Sequence, residues 1–187
     1  LPLKILNFLI NNNNHKVYKF IFFGTFLEDE NKTSNENLDY KKHKIKFRKK
    51  VIALSKKKLF DFVWIKLPLV YGKNMSNSSF AGSLIAKLKS KKDIIINFKY
   101  NTIHLLNVLD VKKIVSVISK NWNKYKNKII IPKTEGPYFI YELMDRIKKI
   151  IKYNNKIIYI NSIKKNKIIL KTKLTNFKIS RNFINFL

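Results

Sequence analysis

Apolar runs of strand length alternate along the chain with segments whose apolar residues recur at helical spacing. The runs that predict strands are KVYKFIFFGT (16–25), FDFVWIKLPLVYG (60–72), DIIINF (93–98), IHLLNV (103–108), KIIIP (128–132) and KIIYI (156–160). The segments that predict helices are 1–10, 40–59, 78–92, 110–122, 138–152 and 180–187. Buried strands that alternate with amphipathic helices predict an α/β fold with a mostly parallel sheet flanked by helices.

Polar segments, helix caps and strand ends between these elements predict where the elements begin and where a site lies. The segment 26–39 is polar and is predicted to be a loop. Ser78 or Ser79 is the predicted N-cap of the third helix, and Asp110 is the predicted N-cap of the fourth. Because working residues of parallel sheets gather where strands end at the carboxyl edge, we expect a site near Gly24-Thr25 and Leu67-Pro68.

Composition excludes several kinds of site. The 187 residues include no cysteine, which removes disulfides and thiolate zinc sites and is typical of a cytoplasmic protein. The three histidines, His15, His43 and His104, do not have metal-ligand spacing, so no metal is predicted. No apolar run approaches the roughly 18 residues of a membrane span. The chain begins with Leu1 and not with Met, so targeting is left open.

The formal charge of +29 raises the alternative of a basic module that binds nucleic acid or an anionic surface. Lys, Asn, Ile and Phe are all abundant while arginine occurs only three times, which is the bias of AT-rich codons. Nucleic-acid readers favour arginine for bidentate contacts, and the aromatic residues here lie in apolar runs. Nucleic acid is therefore not the favoured partner.

The candidate chemistry lies around DYKKHK (39–44). Tyr40 and Lys44 are one helical turn apart, so their side chains share a helix face. With nine tyrosines and 40 basic residues, one such pair is expected by chance. A stronger signal than the pair alone is the order of elements: a strand that ends in Thr25, then this helix, then a strand that ends in VYG. An ammonium beside a phenol favours the phenolate, which makes a better base.

These motifs, in this order, resemble the extended short-chain dehydrogenase/reductases, the NAD-dependent epimerase/dehydratase family. KFIFFGT is similar to the strand that ends in the catalytic Ser or Thr, YKKHK to the Tyr-x-x-x-Lys motif, and VWIKLPLVYGKN to the Arg-x-x-x-Val-Tyr-Gly-Pro segment. SSFAGSLIAKLKS, HLLNVLDVKKIVSVI and EGPYFIYELMDRIKK resemble later segments of the family. The resemblance implies hydride transfer on a sugar or nucleotide-sugar with NAD or NADP, as an epimerase, dehydratase or reductase.

The resemblance also implies roles for individual residues. Tyr40 is expected to be the acid–base group, Lys44 to hold the nicotinamide ribose, and Thr25 to orient the substrate oxygen. The cofactor-binding residues are expected to be Tyr40, Lys44, Leu67 and Pro68, and the substrate-binding residues to be Leu69, Ser79 and Phe80. Residues 1–72 are expected to form the second half of a Rossmann-like domain, and residues 73–187 a mixed Rossmann-end and substrate-binding region.

Several positions depart from the family pattern. Lys66 replaces the usual Arg, and Ile103 replaces an Arg that contacts diphosphate in many epimerases. None of the four glycines forms the Gly-rich turn that binds a dinucleotide. We therefore expect an incomplete Rossmann-like fold, whose dinucleotide-binding strands are missing. The resemblance also implies that the complete enzyme forms a homodimer. An inactive remnant of such an enzyme remains the other alternative.

Overall fold

The structure is a computed structural model that describes residues 2–12, 18–29, 35–57, 60–90, 93–97, 99–150 and 152–160. Its helices are α1 (Pro2–Asn11), α2 (Asn35–Lys56), α3 (Phe80–Lys89), α4 (Val108–Lys120), α5 (Trp122–Tyr125) and α6 (Ile140–Ile150), with a 3₁₀ helix at Phe26–Asp29. Its strands are β1 (Tyr18–Thr25), β2 (Phe60–Leu67), β3 (Leu69–Tyr71), β4 (Ile94–Asn97), β5 (Thr102–Asn107), β6 (Lys128–Ile130), β7 (Glu135–Phe139) and β8 (Ile157–Ile160).

The chain divides into two compact units. The first contains Leu1–Leu67 and Val115–Pro132, and the second contains Pro68–Ile114 and Lys133–Leu187. The chain passes from the first unit to the second between Leu67 and Pro68, whereas the predicted division lies after residue 72. Residues 115–132 belong to the first unit, although they fall within the predicted second region, 73–187.

The first unit is built on a parallel sheet with the strand order β1-β2-β6. The central strand β2 is buried along almost its whole length, as the dense apolar run predicts for a strand covered on both faces. The strands β1 and β2 pair in register from Tyr18 opposite Phe60 to Thr25 opposite Leu67. The core of this unit joins α1, α2 and β2 through Leu6, Val51, Phe60, Phe62 and Trp64.

The second unit contains a sheet with the order β3-β5-β7 and a two-stranded parallel sheet, β4-β8. β3 pairs with β5 in parallel, and β7 pairs with β5 antiparallel. The helices α3 and α6 bury one face each against the core of this unit, through Leu84 and Leu88 and through Leu143, Met144 and Ile147.

The α/β class with a mostly parallel sheet and flanking helices is confirmed. The run 60–72 is two strands rather than one, because Pro68 separates β2 from β3 and cannot donate to a ladder. The predicted loop 26–39 is wrong in part, since it contains a 3₁₀ helix and the first turn of α2. The helix predicted over 138–152 begins only at Ile140, because Tyr138 and Phe139 belong to the strand β7.

The N-cap predictions had different outcomes. Ser79 caps α3, because its Oγ accepts a hydrogen bond from the Gly82 N–H at 3.0 Å. The prediction for Asp110 is wrong. Asn107 precedes α4 and accepts the Leu109 N–H at 2.9 Å, so Asp110 lies in the first turn of the helix. The predicted helix at 180–187 lies outside the described residues.

Candidate active site

Two parallel strands of the first unit end side by side at the carboxyl edge of the sheet. Thr25, the last residue of β1, is the direct partner of Leu67, the last residue of β2. One position earlier, Gly24 lies opposite Lys66, a residue that is only 5% exposed. The structure therefore brings together the candidate residues Thr25 and Leu67, as the parallel arrangement predicts.

The helix α2 brings Tyr40 and Lys44 to this strand end. The Lys44 Nζ donates a hydrogen bond to the carbonyl oxygen of Phe23 at 3.0 Å, two residues before Thr25. The same Nζ lies 5.6 Å from the centre of the Tyr40 ring, within the range of a cation–π contact. Tyr40 is 49% exposed, so about half of the residue is open to solvent.

The electrostatic surroundings of Tyr40 differ from the expectation. Burial, and after it the charge of Glu28, raise the pKa of Tyr40 above its ordinary value. The sequence had predicted that the Lys44 ammonium would favour the phenolate. Lys44 faces the ring and donates to Phe23, and its ammonium does not outweigh burial and the charge of Glu28, so the pKa of Tyr40 is raised.

Thr25 is fixed at both its backbone and its hydroxyl. Its N–H donates to the Glu28 Oε1 at 2.9 Å, and its Oγ1 accepts from the Leu27 N–H at 3.3 Å. Because the second bond uses an oxygen lone pair, the hydroxyl hydrogen can be directed toward another acceptor. The arrangement suits a residue that donates a hydrogen bond to a substrate oxygen.

Three residues of this region were missed by the sequence analysis. Glu28, Arg48 and Trp64 form a buried polar group behind Thr25. Arg48 carried a usable signal, because it is one of three arginines and follows Lys44 by one helical turn. Glu28 carried none, because a carboxylate in a polar segment is ordinarily exposed.

The remaining candidate residues belong to the second unit. Pro68 begins that unit, and Leu69 is 38% exposed on β3. The Ser79 hydroxyl accepts from Gly82 and donates to the Ser76 carbonyl at 2.7 Å, so it is used in capping α3. Phe80 packs against the core of the second unit. Their roles toward cofactor or substrate stay predictions.

A metal site and a membrane-spanning helix are two further features that the described residues could contain. No group of three or more His, Asp and Glu side chains gathers there in a way that could hold a metal ion. No helix in that part of the chain has both the length and the apolar character that crossing a bilayer requires.

This architecture is similar to part of the fold of several solved UDP-sugar 4-epimerases. The UDP-glucuronic acid 4-epimerase of Bacillus cereus, solved with NAD, has a TM-score of 0.80 at 14% identity over 97% of this chain. RMD of Pseudomonas aeruginosa, solved with NADPH, has a TM-score of 0.74 at 12% identity over 98% of this chain. The UDP-glucose 4-epimerase of Thermotoga maritima, solved with UDP-glucose, has a TM-score of 0.72 at 18% identity over 91%.

The likeness covers part of each of those proteins. The chain spans 62% of the Bacillus epimerase, 68% of RMD and 59% of the Thermotoga epimerase. A scan against protein-family models and a search of curated proteins both find no match. At these identities the comparisons establish the fold, while the assignment of activity depends on the residues of the site.

Proposed function

We propose that this chain is the catalytic and substrate-binding part of an NAD(P)-dependent epimerase, dehydratase or reductase that acts on a sugar or nucleotide-sugar. The observation that carries the proposal is the meeting of Tyr40 and Lys44 with the end of β1, where the Lys44 Nζ is hydrogen-bonded to Phe23. A phenol, an ammonium and the Thr25 hydroxyl are the groups needed to move a proton on a substrate oxygen.

The donor set of Lys44 fits the ribose of a nicotinamide dinucleotide. An ammonium has three N–H donors, and one of them is used by the Phe23 carbonyl. The other two suit the neighbouring hydroxyls of a ribose. The bound dinucleotide supplies the hydride acceptor or donor. This chain has four glycines and no Gly-rich turn for the pyrophosphate, so the proposal assigns that role to a region outside residues 1–187.

Tyr40 is proposed to exchange a proton at its Oη with the substrate oxygen. In the structure the raised pKa of Tyr40 keeps the phenol protonated, which suits proton donation to a carbonyl as it is reduced. The reverse direction requires phenolate, and a positive charge bound beside the ring would lower the pKa of Tyr40 toward that form. Thr25 is proposed to hold the same substrate oxygen through its hydroxyl hydrogen.

The proposed substrate class is supported by the proteins that share this fold and is narrowed by the residue at position 103. The Bacillus and Thermotoga epimerases were solved with UDP-glucuronic acid and UDP-glucose. In this chain Ile103 is buried and apolar, so it cannot contact a diphosphate. A sugar is therefore the part of the substrate that the proposal assigns to Tyr40, and the diphosphate is assigned to no residue of this chain.

The proposal is tested with the protein expressed from its complete coding sequence. The protein is incubated with NAD⁺ or NADP⁺ and a panel of sugars and UDP-sugars, and the reduced nicotinamide and the sugar products are followed. Turnover that disappears in Tyr40→Phe supports the proposal. A folded protein that binds no dinucleotide and turns over none of the panel contradicts it. Tight DNA binding with a steep salt dependence would favour the basic-module alternative instead.

A further inference from the structure

A fully buried carboxylate lies directly behind the candidate site. Glu28 belongs to the 3₁₀ helix that follows β1, and its side chain has no exposed area. A carboxylate is costly to bury unless it is paired and hydrogen-bonded. The chain has 11 acidic residues against 40 basic ones, so the burial of one of them at this place calls for a physical reason.

Glu28 is held by donors from three different elements. Its Oε1 accepts the Thr25 N–H at 2.9 Å and the Trp64 indole N–H at 3.2 Å. Its Oε2 accepts from the guanidinium of Arg48, with which it forms an ion pair. We call Glu28, Thr25, Arg48 and Trp64 the Glu28 cluster. It ties the end of β1 to the middle of β2 and to α2.

The backbone leaves room for this cluster at one glycine. A Cβ on Gly24 would lie 2.1 Å from the Trp64 Nε1 and 2.3 Å from the Glu28 Oε1. Both distances are far shorter than any non-bonded contact allows, so only glycine at this position admits the cluster. The glycine before Thr25 at the end of β1 is therefore what leaves space for the buried Glu28 carboxylate.

The cluster is linked to Tyr40 and Lys44 through the helix. Tyr40, Lys44 and Arg48 follow one another at intervals of four residues, so they lie along one face of α2. Arg48 is fixed by Glu28, and Lys44 is fixed by the Phe23 carbonyl. The face of α2 that carries the phenol is therefore held at two successive turns, by β1 through Lys44 and by the following 3₁₀ helix through Arg48.

We propose that Glu28 is a positioning residue of this site, which holds Thr25 and the Tyr40-Lys44-Arg48 face of α2 in place. Burial, and after it the charge of Glu28, raise the pKa of Tyr40, so the titration of this phenol reports on the placement of the carboxylate. Among the described residues, Lys44 on the same helix and the buried Lys66 on β2 are further cations near this end of the sheet, and Arg48 partly neutralises Glu28. Only the catalytic consequence of this proposal depends on the proposed function.

The test is a direct titration of Tyr40 in the 187-residue chain. With ¹³C-labelled tyrosine each ring gives its own NMR signal, and Tyr40→Phe identifies the signal of Tyr40. Glu28→Gln removes the charge with little change in volume, and we expect the Tyr40 midpoint to fall by about half a pH unit or more. Arg48→Gln leaves the carboxylate without its cation, and we expect the midpoint to rise. Arg48→Lys retains the charge and should restore the wild-type value.

Opposite shifts from the two variants, with rescue by Arg48→Lys, are not produced by general loosening of the fold. An unchanged midpoint in folded Glu28→Gln overturns the proposal, and so does a fall in Arg48→Gln. If neither variant folds, the wild-type titration decides, because a Tyr40 midpoint at or below the ordinary tyrosine pKa contradicts the role of Glu28. The measurement needs neither cofactor nor substrate, so its outcome is separate from that of the proposed function.

Discussion

The Lys44 ammonium donates a hydrogen bond to the carbonyl oxygen of Phe23 at 3.0 Å. The two residues are 21 positions apart, and this contact joins the helix that carries Tyr40 to the strand that ends at Thr25. One lysine thereby fixes its own position and remains 5.6 Å from the Tyr40 ring. Among many solvated lysines, this one has a defined place at a strand end.

Tyr40→Phe should abolish most of the catalytic rate of the complete protein. The substitution keeps the ring and removes the only group assigned to proton exchange. General acid–base groups contribute about a hundred- to ten-thousand-fold, so we expect kcat to fall in that range while KM changes little. His43→Ala is the control, since His43 is exposed on the same helix. An undiminished kcat in Tyr40→Phe would show that the pair 40/44 is an accident of composition.

Lys44→Met should lower the rate and move the pH optimum upward. Without the ammonium the phenolate form loses a favourable neighbour, so a higher pH is needed to reach it. The substitution also removes the hydrogen bond to Phe23. A pH–rate profile of the complete protein measures both effects. Lys46→Met, at an exposed position of α2, should retain the wild-type profile, and a similar shift in both variants would argue against a specific role for Lys44.

Gly24→Ala should destabilise the fold. The added methyl would meet the Trp64 indole and the Glu28 carboxylate at distances that force both to move. Overpacking of this kind costs about 1–3 kcal/mol. Urea unfolding of Gly24→Ala, Trp64→Phe and the double variant measures the coupling between the two positions. Strictly additive losses would mean that the methyl group does not act through Trp64.

Tyr159→Phe should leave stability at neutral pH unchanged or slightly increased. The Tyr159 hydroxyl is buried without a hydrogen-bond partner among the described residues, so its removal relieves an unsatisfied group. Thermal unfolding of this variant beside Tyr100→Phe, whose ring faces the same Lys99 ammonium, checks the expectation. A marked loss of stability in Tyr159→Phe alone would indicate a partner for this hydroxyl.

Tyr159→Phe should also reduce the loss of stability that the protein undergoes at alkaline pH. Burial, and after it Asp145, raise the pKa of Tyr159 to about 12. This value is higher than the pKa of an unfolded tyrosine. The contribution of Tyr159 to the free energy of unfolding is therefore fully present below about pH 10 and is lost as the pH rises toward 12. Stability measured across this window should therefore fall less steeply in Tyr159→Phe than in wild type. Parallel curves would contradict the assignment.

Much of the fold could be predicted from the sequence, because period and turn chemistry are local properties. The apolar runs predicted strands β1 and β2, helical spacing predicted α2 between them, and Ser79 signalled the start of α3. The prediction for the start of α4 failed because two local signals compete there. Asp110 is a good N-cap residue by type, yet Asn107 comes first and accepts the bond that caps α4.

The sequence by itself determined the candidate pair Tyr40 and Lys44, because residues four apart share the face of any helix. It also determined that Thr25 and Leu67 end neighbouring strands, because parallel strands place their carboxyl ends together. Only the tertiary structure decided that Glu28 is buried, since its donors Thr25, Arg48 and Trp64 come from three elements. It likewise decided that the pKa of Tyr40 is raised, because burial and a carboxylate from another element act on the phenol through space.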